Sequence, residues 1–382
     1  MRVLHVGKFY APEPGGMETH LQVLCEELSA TMDVRVLVAA RGRKTQRATY
    51  NGIPVTRAAT AVAIAGASFC PSMPAEIRAA EPDVVHLHLP NPPAALAYLM
   101  SGHRGPLVVT YHSDIVRQRV LGRAIEPLVR RVLRRASAII VSSEALIDAS
   151  PVLRAVRDKC RVVPFGTRLE PFERRDEGAI AGIRARHGTP LVVGVGRLVG
   201  YKGFEFLIDA MRAVRGSLVI IGEGPLHSEL TERIRRHGLE DRVVLAGHVA
   251  DVTSHLQAAD VFVLSSISRN EAFGIVQIEA LACGTPVINT RLDSGVPTVS
   301  LDGQTGITVA PCDAAALAKA IDRVLTNSEL RASYSMAALA RARTQFSSDI
   351  MTHKTLRIYG DVLGTPLVPV DEMRTSVAAG TF

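Results

Sequence analysis

Arg269-Asn-Glu-Ala-Phe-Gly-Ile-Val-Gln-Ile-Glu-Ala-Leu-Ala-Cys-Gly-Thr-Pro-Val-Ile288 begins in a polar loop and takes up a helical pattern near Gly274. It stops at Gly284-Thr285-Pro286, ahead of an apolar strand. Ile275, Ile278, Leu281 and Ala282 recur at helical spacing, so one face is apolar and turns inward. Glu271 stands just before the helix, and Glu279 eight residues later lies inside it. Two acids so placed can reach different parts of one extended ligand, and the free N–H groups of the first turn attract an anion such as a phosphate. Taken alone, the pair reads more readily as two solvated surface acids, so the surrounding chain has to decide.

Outward on the N-terminal side, residues 261–264 form a strand, which places Glu271 beyond a strand's carboxyl end. A strand at 191–195 leads into Gly196-Arg197-Leu-Val-Gly200-Tyr-Lys202-Gly203, one at 218–221 into Gly222-Glu223-Gly224-Pro225, and one at 243–246 into Gly247-His248-Val249. Polar loops therefore gather on one rim of a second sheet. Arg197 and Lys202 are two loop cations suited to a diphosphate, although a pair of solvated cations has the same appearance. Gly194, Gly196 and Gly200 have GxGxxxG spacing, which is not the dinucleotide fingerprint, and no P-loop occurs. Helices follow at 314–326, 329–345 and 347–363, and the weakly patterned tail 365–382 is expected to be mobile.

The first half has the same rhythm. A strand at 2–9 gives way to a Pro/Gly turn and a helix at 17–28, so that Gly15 and Gly16 stand where a backbone can approach a phosphate or sugar closely. Strands follow at 34–39, 53–57, 83–87, 107–111 and 138–141, with an arginine-rich loop between the first two of these. This alternation of strand and helix implies an α/β chain with mostly parallel sheets, whose ligands bind beyond the strand carboxyl ends. His86 and His88 at one such end read as satisfied structural residues. His112, beside the cap-like Ser113 and Asp114, is placed to meet a sugar hydroxyl or an anion. The next helix carries Arg117, Arg119, Arg123, Arg130, Arg131, Arg134 and Arg135 against Glu126 alone, and Pro127 is expected to break or kink it. It reads either as an ordinary amphipathic helix or as a surface for anionic lipid headgroups. Gly and Pro end a strand near 164, where the domain boundary is set.

The length of 382 residues favours two domains. A net charge of +7 favours anionic partners, namely nucleotide phosphates, lipid diphosphates or membrane headgroups. Aromatics at 4% without Trp argue against stacking on single-stranded nucleic acid. Cys25, Cys70, Cys160, Cys283 and Cys312 are scattered without CxxC spacing and read as reduced thiols of a cytoplasmic protein, with no metal or disulfide role. Met1-Arg2 leads straight into a strand, so no signal peptide is expected, and the run 59–70 is too short to cross a bilayer.

In this order the features resemble the retaining nucleotide-sugar glycosyltransferases of the GT-B type, family 4, over residues 1 to about 360. Glu271-x7-Glu279 looks like that family's E-x7-E signature, with Gly196-Arg197, Lys202-Gly203, Gly222-Glu-Gly-Pro225, Gly15-Gly16 and His112 in sequence. The resemblance implies two facing Rossmann-like doubly wound domains with a cleft between them: 1–165 on the acceptor side, joined by the helix 347–363, and 166–346 for the nucleotide sugar. It implies that Arg197 and Lys202 bind the donor diphosphate and that Glu279 accepts from the ribose hydroxyls. Glu271, with the backbone at Phe273 and Gly274, would hold the sugar or phosphate, and Glu223, His248 and Val249 would lie near the base. Gly15 and Gly16 would approach the phosphates, and His112 would touch the transferred sugar. No metal or other cofactor is required in this class. Tyr111-His-Ser-Asp-Ile-Val-Arg-Gln118 is similar to the bacterial mannosyl/rhamnosyl-type transferases of surface polysaccharide assembly. The reading is hexose transfer, mannose from GDP-mannose favoured, to a lipid-linked or oligosaccharide acceptor at the inner membrane face. Peripheral contact would be made through the 117–135 region. The alternatives are a nucleotide-sugar epimerase or a non-catalytic nucleotide-sugar-binding scaffold subunit. One departure is Gly166-Thr-Arg168, where relatives carry Gly-hydrophobic-Asp, which reverses a charge.

Overall fold

Short β-branched runs bounded by Gly, Pro and Asp build two sheets. The computed structural model describes residues 1–13, 15–64, 66–114 and 119–367, with the backbone alone at 119–124. Arg117 and the tail beyond 367 lie outside the described residues. The chain divides into two compact units, Met1–Gly166 joined by the chain from Ser348, and Thr167–Ser347.

The first unit holds β1 (Arg2–Val6), β2 (Asp33–Ala39), β3 (Gln46–Tyr50), β4 (Ile53–Ala58), a small hairpin of β5 (Val62–Ile64) and β6 (Ala67–Phe69), then β7 (Val84–Leu89), β8 (Leu107–Tyr111), β9 (Ala138–Val141) and β10 (Cys160–Val162). Its main sheet runs β10-β9-β8-β7-β1-β2-β4-β3. Every pairing in it is parallel except β3 with β4. Both faces are covered, and the period of two sorts the residues. Leu4, Val85, Leu87, Val109 and Ile139 enter one core and Val3, Val84, Val108 and Ile140 the other. The helix Ser348–Leu363 returns to the second of these cores with Met351, Leu356 and Tyr359 and packs beside the helix Gly16–Leu28.

The second unit holds β11 (Leu191–Val195), β12 (Ser217–Ile221), β13 (Val243–Gly247), β14 (Val261–Leu264), β15 (Val287–Thr290) and β16 (Gly306–Val309), all parallel in the order β13-β12-β11-β14-β15-β16. The order reverses between β11 and β14, so the loops 196–203 and 265–274 flank the switch point, where open α/β sheets bind their ligands.

Three local expectations change. The arginine-rich loop contains β3, an edge strand whose residues are exposed on both faces, so no apolar alternation marks it. Pro127 sits inside one continuous helix, Arg119–Arg135. It is exposed there, where the carbonyl it leaves without a donor can take water. In the helix Ile275–Ala282, Ile275 is only half-buried while Gln277 is fully buried, for a reason given below.

Candidate active site

The loops after β11 and β14 are locked together by backbone. Ser265 Oγ donates to the Lys202 carbonyl at 2.9 Å and the Ile267 N–H to the Tyr201 carbonyl at 2.8 Å. Gly203 has φ +64°, and a Cβ there would stand 2.2 Å from the Ser265 carbonyl oxygen, so only glycine permits the approach. Gly224 likewise lies against Leu198, where a Cβ would meet the carbonyl oxygen at 2.4 Å. The Leu198 N–H donates to the Glu223 carbonyl at 2.9 Å, which ties the third rim loop to the first.

This docking brings Lys202 Nζ to 2.5 Å from Glu271 Oε2, with both side chains about nine-tenths buried. Ser266 Oγ donates to the same carboxylate oxygen at 2.9 Å. Burial opposes the charge on Lys202, but Glu271 more than offsets it and holds the ammonium above its usual value. The side chain of Lys202 runs under Gly196, within 3.0 Å of where a Cβ would be. Arg197 is exposed beside it, its guanidinium unpaired among the described residues. Glu223 and His248 are also exposed and Val249 half-buried, and among the described residues no side-chain hydrogen bond or ion pair joins them to the Lys202–Glu271 pair.

Gly274, at φ +73°, caps the helix Ile275–Ala282, whose first amides face the end of the loop. Sequence reasoning missed what holds this turn. Gln277 Nε2 donates to the Phe273 carbonyl at 3.0 Å, and Asn289 Nδ2 on β15 donates to Gln277 Oε1 at 2.9 Å. Both amides are completely buried. The only sequence signal was an amide on an otherwise apolar helix face. Glu279 is half-buried one turn further, without a side-chain hydrogen bond or ion pair among the described residues. Burial pushes its carboxyl up to about 7. A carboxylate held in this way is stabilised by a hydroxyl donor that arrives with a ligand.

In the first unit, Gly15 and Gly16 start the helix Gly16–Leu28, and the Glu18 carboxylate folds back so closely that a Cβ on Gly15 would stand 2.2 Å from it. His112 follows β8, 4% exposed, its N–H donating to the Leu89 carbonyl at 2.8 Å. His86 and His88 are indeed satisfied by protein partners, but His88 is joined directly to His112, with 3.2 Å between Nδ1 and Nε2. His5, His20 and Tyr359 complete the cluster and were missed. The available signal was the register, which puts His5 opposite His86. Burial drives His86, His88 and His112 well below the ordinary imidazole range and His5 and His20 to about 3, so all five rings are neutral at pH 7.

Comparison with known proteins places this geometry. The family "Glycosyltransferase Family 4" matches residues 14–170 and "Glycosyl transferases group 1" residues 178–341. The D-rhamnosyltransferase WbpZ of Pseudomonas aeruginosa is 33% identical, covering 91% of this chain and 93% of its own length. The O-antigen chain mannosyltransferase C of Escherichia coli is 30% identical over 95% of this chain and 99% of its own. Among solved structures, Anabaena Alr3699/HepE in complex with UDP superposes with a TM-score of 0.79 at 22% identity, covering 94% of this chain and all of that one. WaaG, a glycosyltransferase involved in lipopolysaccharide biosynthesis, gives 0.66 at 16% identity over 94% and 100%. The fold is GT-B. With relatives at least 30% identical matched over more than nine-tenths of both lengths, the chain belongs to the group 1 glycosyl transferases of glycosyltransferase family 4.

Proposed function

We propose that the protein is a retaining hexosyltransferase that moves mannose from GDP-mannose to a lipid-linked or oligosaccharide acceptor in bacterial surface polysaccharide synthesis. The observation that carries this reading is the buried Lys202–Glu271 pair at the switch point of the second sheet, with Arg197 exposed beside it. Two similar proteins, named a D-rhamnosyltransferase and an O-antigen mannosyltransferase, support the class of sugar and product. The alternatives, an epimerase or a non-catalytic subunit, find no support in relatives that are transferases by name.

In this reading Arg197 and Lys202 bind the diphosphate, and the first amides of Ile275–Ala282 add their dipole. The bond from the anomeric carbon to the phosphate oxygen breaks with its electrons going to the phosphate, whose growing charge the two cations offset. The acceptor oxygen attacks from the face the phosphate leaves, and the phosphate takes its proton. Glu271 holds the sugar, Glu279 the ribose hydroxyls and His112 the transferred sugar, while Gly15 and Gly16 approach the phosphates. Glu223, His248 and Val249 lie toward the base. These cations and the helix end carry the charge that a metal ion carries elsewhere, so no metal or other cofactor is assigned.

A thermal-shift screen of nucleotide sugars tests the donor. GDP-mannose at a hundredfold excess over Kd should stabilise the protein by about 2.7 kcal/mol, and the product should keep the donor's anomeric configuration. Stabilisation by uridine sugars alone, or an inverted product, would overturn the assignment. Repeating the titration from pH 6 to 8 checks Glu279. Its free carboxyl titrates near 7 and a bound ribose favours the anion, so affinity should rise with pH across this range, approaching about tenfold per unit below 7.

We also propose peripheral contact with anionic membrane through the first unit. Among the described residues no helix is long and apolar enough to cross a membrane. Not all the arginines are available, because Arg135 Nε donates to the Tyr98 hydroxyl at 2.9 Å and Arg130 pairs with Glu126 at 2.7 Å. Arg131 and Arg134 are exposed. The helix they occupy packs on Pro92–Ser101, which carries the exposed Met100 and touches β6 of the hairpin bearing exposed Val62, Ile64 and Phe69. Basic and apolar side chains therefore belong to one continuous group of elements. Arg131→Ser with Arg134→Ser should weaken binding to phosphatidylglycerol vesicles by roughly tenfold or more at low salt, at about 1 kcal/mol per cation. Binding unaltered in that variant would remove the patch.

A further inference from the structure

One face of the first sheet carries a row of polar rings in what is otherwise an apolar layer. His86 and His88 alternate on β7, His5 stands opposite His86 on β1, and Thr110 stands opposite His88 on β8 with His112 two residues on. All are buried. The helix Ser348–Leu363 covers this face and contributes Tyr359, which is completely buried.

Their polar atoms form a single file. His86 Nε2 is 2.7 Å from Thr110 Oγ1, and His86 Nδ1 is 2.6 Å from the Tyr359 hydroxyl. That hydroxyl is 3.4 Å from His5 Nε2, the longest link. His5 Nδ1 is 3.1 Å from His88 Nε2, and His88 Nδ1 is 3.2 Å from His112 Nε2. A neutral imidazole has one donor and one acceptor, and the three inner rings use both. The file therefore has two proton orders that make every one of these bonds. If Thr110 donates to His86, then His86 donates to Tyr359, Tyr359 to His5, His5 to His88 and His88 to His112, which leaves the His112 proton on Nδ1. If every bond is reversed, the His112 proton lies on Nε2. Any other order leaves a proton without an acceptor in the file, as when His86 and His5 both donate to the Tyr359 oxygen and its own hydrogen has no place.

We propose that Tyr359 and His5 are positioning residues for His112: the file from Thr110 to His112 fixes which ring nitrogen of His112 carries the proton and so what that ring offers the sugar. This rests on the reading that His112 touches the transferred sugar. It also gives the helix Ser348–Leu363 a task in the site beyond covering a sheet, because the file is cut without its tyrosine. A bound transition ion is the competing use of these rings, since His20, His88 and His112 bring ligand atoms within 4.8 Å of one another, and among the described residues both buried ring nitrogens of His20 have no partner. Such an ion would have to take a nitrogen of His88, and the file already uses both.

The test is two-bond 1H–15N spectroscopy of the full chain labelled at histidine, assigned by single substitutions. The wild type should show one tautomer at His112. Tyr359→Phe and His5→Leu should show a mixture or the opposite tautomer, with kcat lowered about 10- to 100-fold, the range found when a functional imidazole loses the group that orients it, and KM for the donor within about twofold. His5→Gln retains one donor and one acceptor and should restore both the spectrum and kcat. A tautomer mixture in the wild type, a His112 pattern unmoved in Tyr359→Phe and His5→Leu, or stoichiometric zinc in the purified protein would each overturn the proposal. Unchanged transfer in His112→Ala would instead sink the role given to His112 in the reaction, leaving the spectrum to judge the file alone.

Discussion

Lys202→Ala is expected to lower kcat/KM for transfer by about 100- to 1,000-fold, the loss found when a preorganised donor to the developing charge is removed. A second effect accompanies it. Lys202 and Glu271 are both about nine-tenths buried and in contact at 2.5 Å, so removing the ammonium leaves a carboxylate with, among the described residues, the Ser266 hydroxyl as its one side-chain partner, at a cost of about 3 kcal/mol of stability. The two effects separate in Lys202→Met with Glu271→Met, because replacing both partners of a buried pair by apolar groups is close to neutral for folding. Denaturant unfolding should show the single variant weakened and the double variant near wild type, while both transfer sugar at least about 100-fold less efficiently than wild type. Activity within threefold of wild type in Lys202→Ala at full occupancy of the folded state would remove Lys202 from the active site.

Glu271-x7-Glu279 was legible because it is local. A helix start, two acids and a glycine in a left-handed cap all sit within a few residues. The parallel sheets were legible for the same reason, each strand being a short buried run between turn residues. What stayed hidden depends on distance along the chain. Lys202 and Glu271 are on different loops, and their contact depends on Gly203 lying against Ser265. Gln277 and Asn289 are polar residues in apolar elements twelve residues apart, and no local pattern shows that each is the other's partner. The histidine file draws on three strands and a helix 273 residues from His86, so no window of sequence contains it. β3 was hidden for the opposite reason, since an exposed edge has no apolar face to repeat.

The five buried histidines are expected to make the first unit lose stability as the pH falls below about 6.5. Each has a folded value depressed by burial, so below about 6.5 the unfolded chain takes up protons that the folded unit cannot. Their contribution is fully present above that value and falls as pH drops toward the folded value, about 3 for His5 and His20. At pH 4.5 each of those two has cost about 2.7 kcal/mol, from two units at 1.36 kcal/mol each. His86, His88 and His112 act in the same direction, against a total stability of roughly 5–15 kcal/mol for a typical domain. Glu279 in the second unit runs the other way: its folded value is raised, so the penalty it carries at pH 7 is relieved on acidification. Hydrogen exchange read by mass spectrometry between pH 7 and 4 should therefore show residues 1–166 losing protection before 167–347. His20→Leu should move that transition to lower pH, since among the described residues the His20 ring has no hydrogen bond to lose and it packs on Phe165. Protection of β1, β7 and β8 persisting at pH 4 would mean that these rings are reached by water or a proton acceptor, and the neutral, sealed layer assigned to them would be wrong.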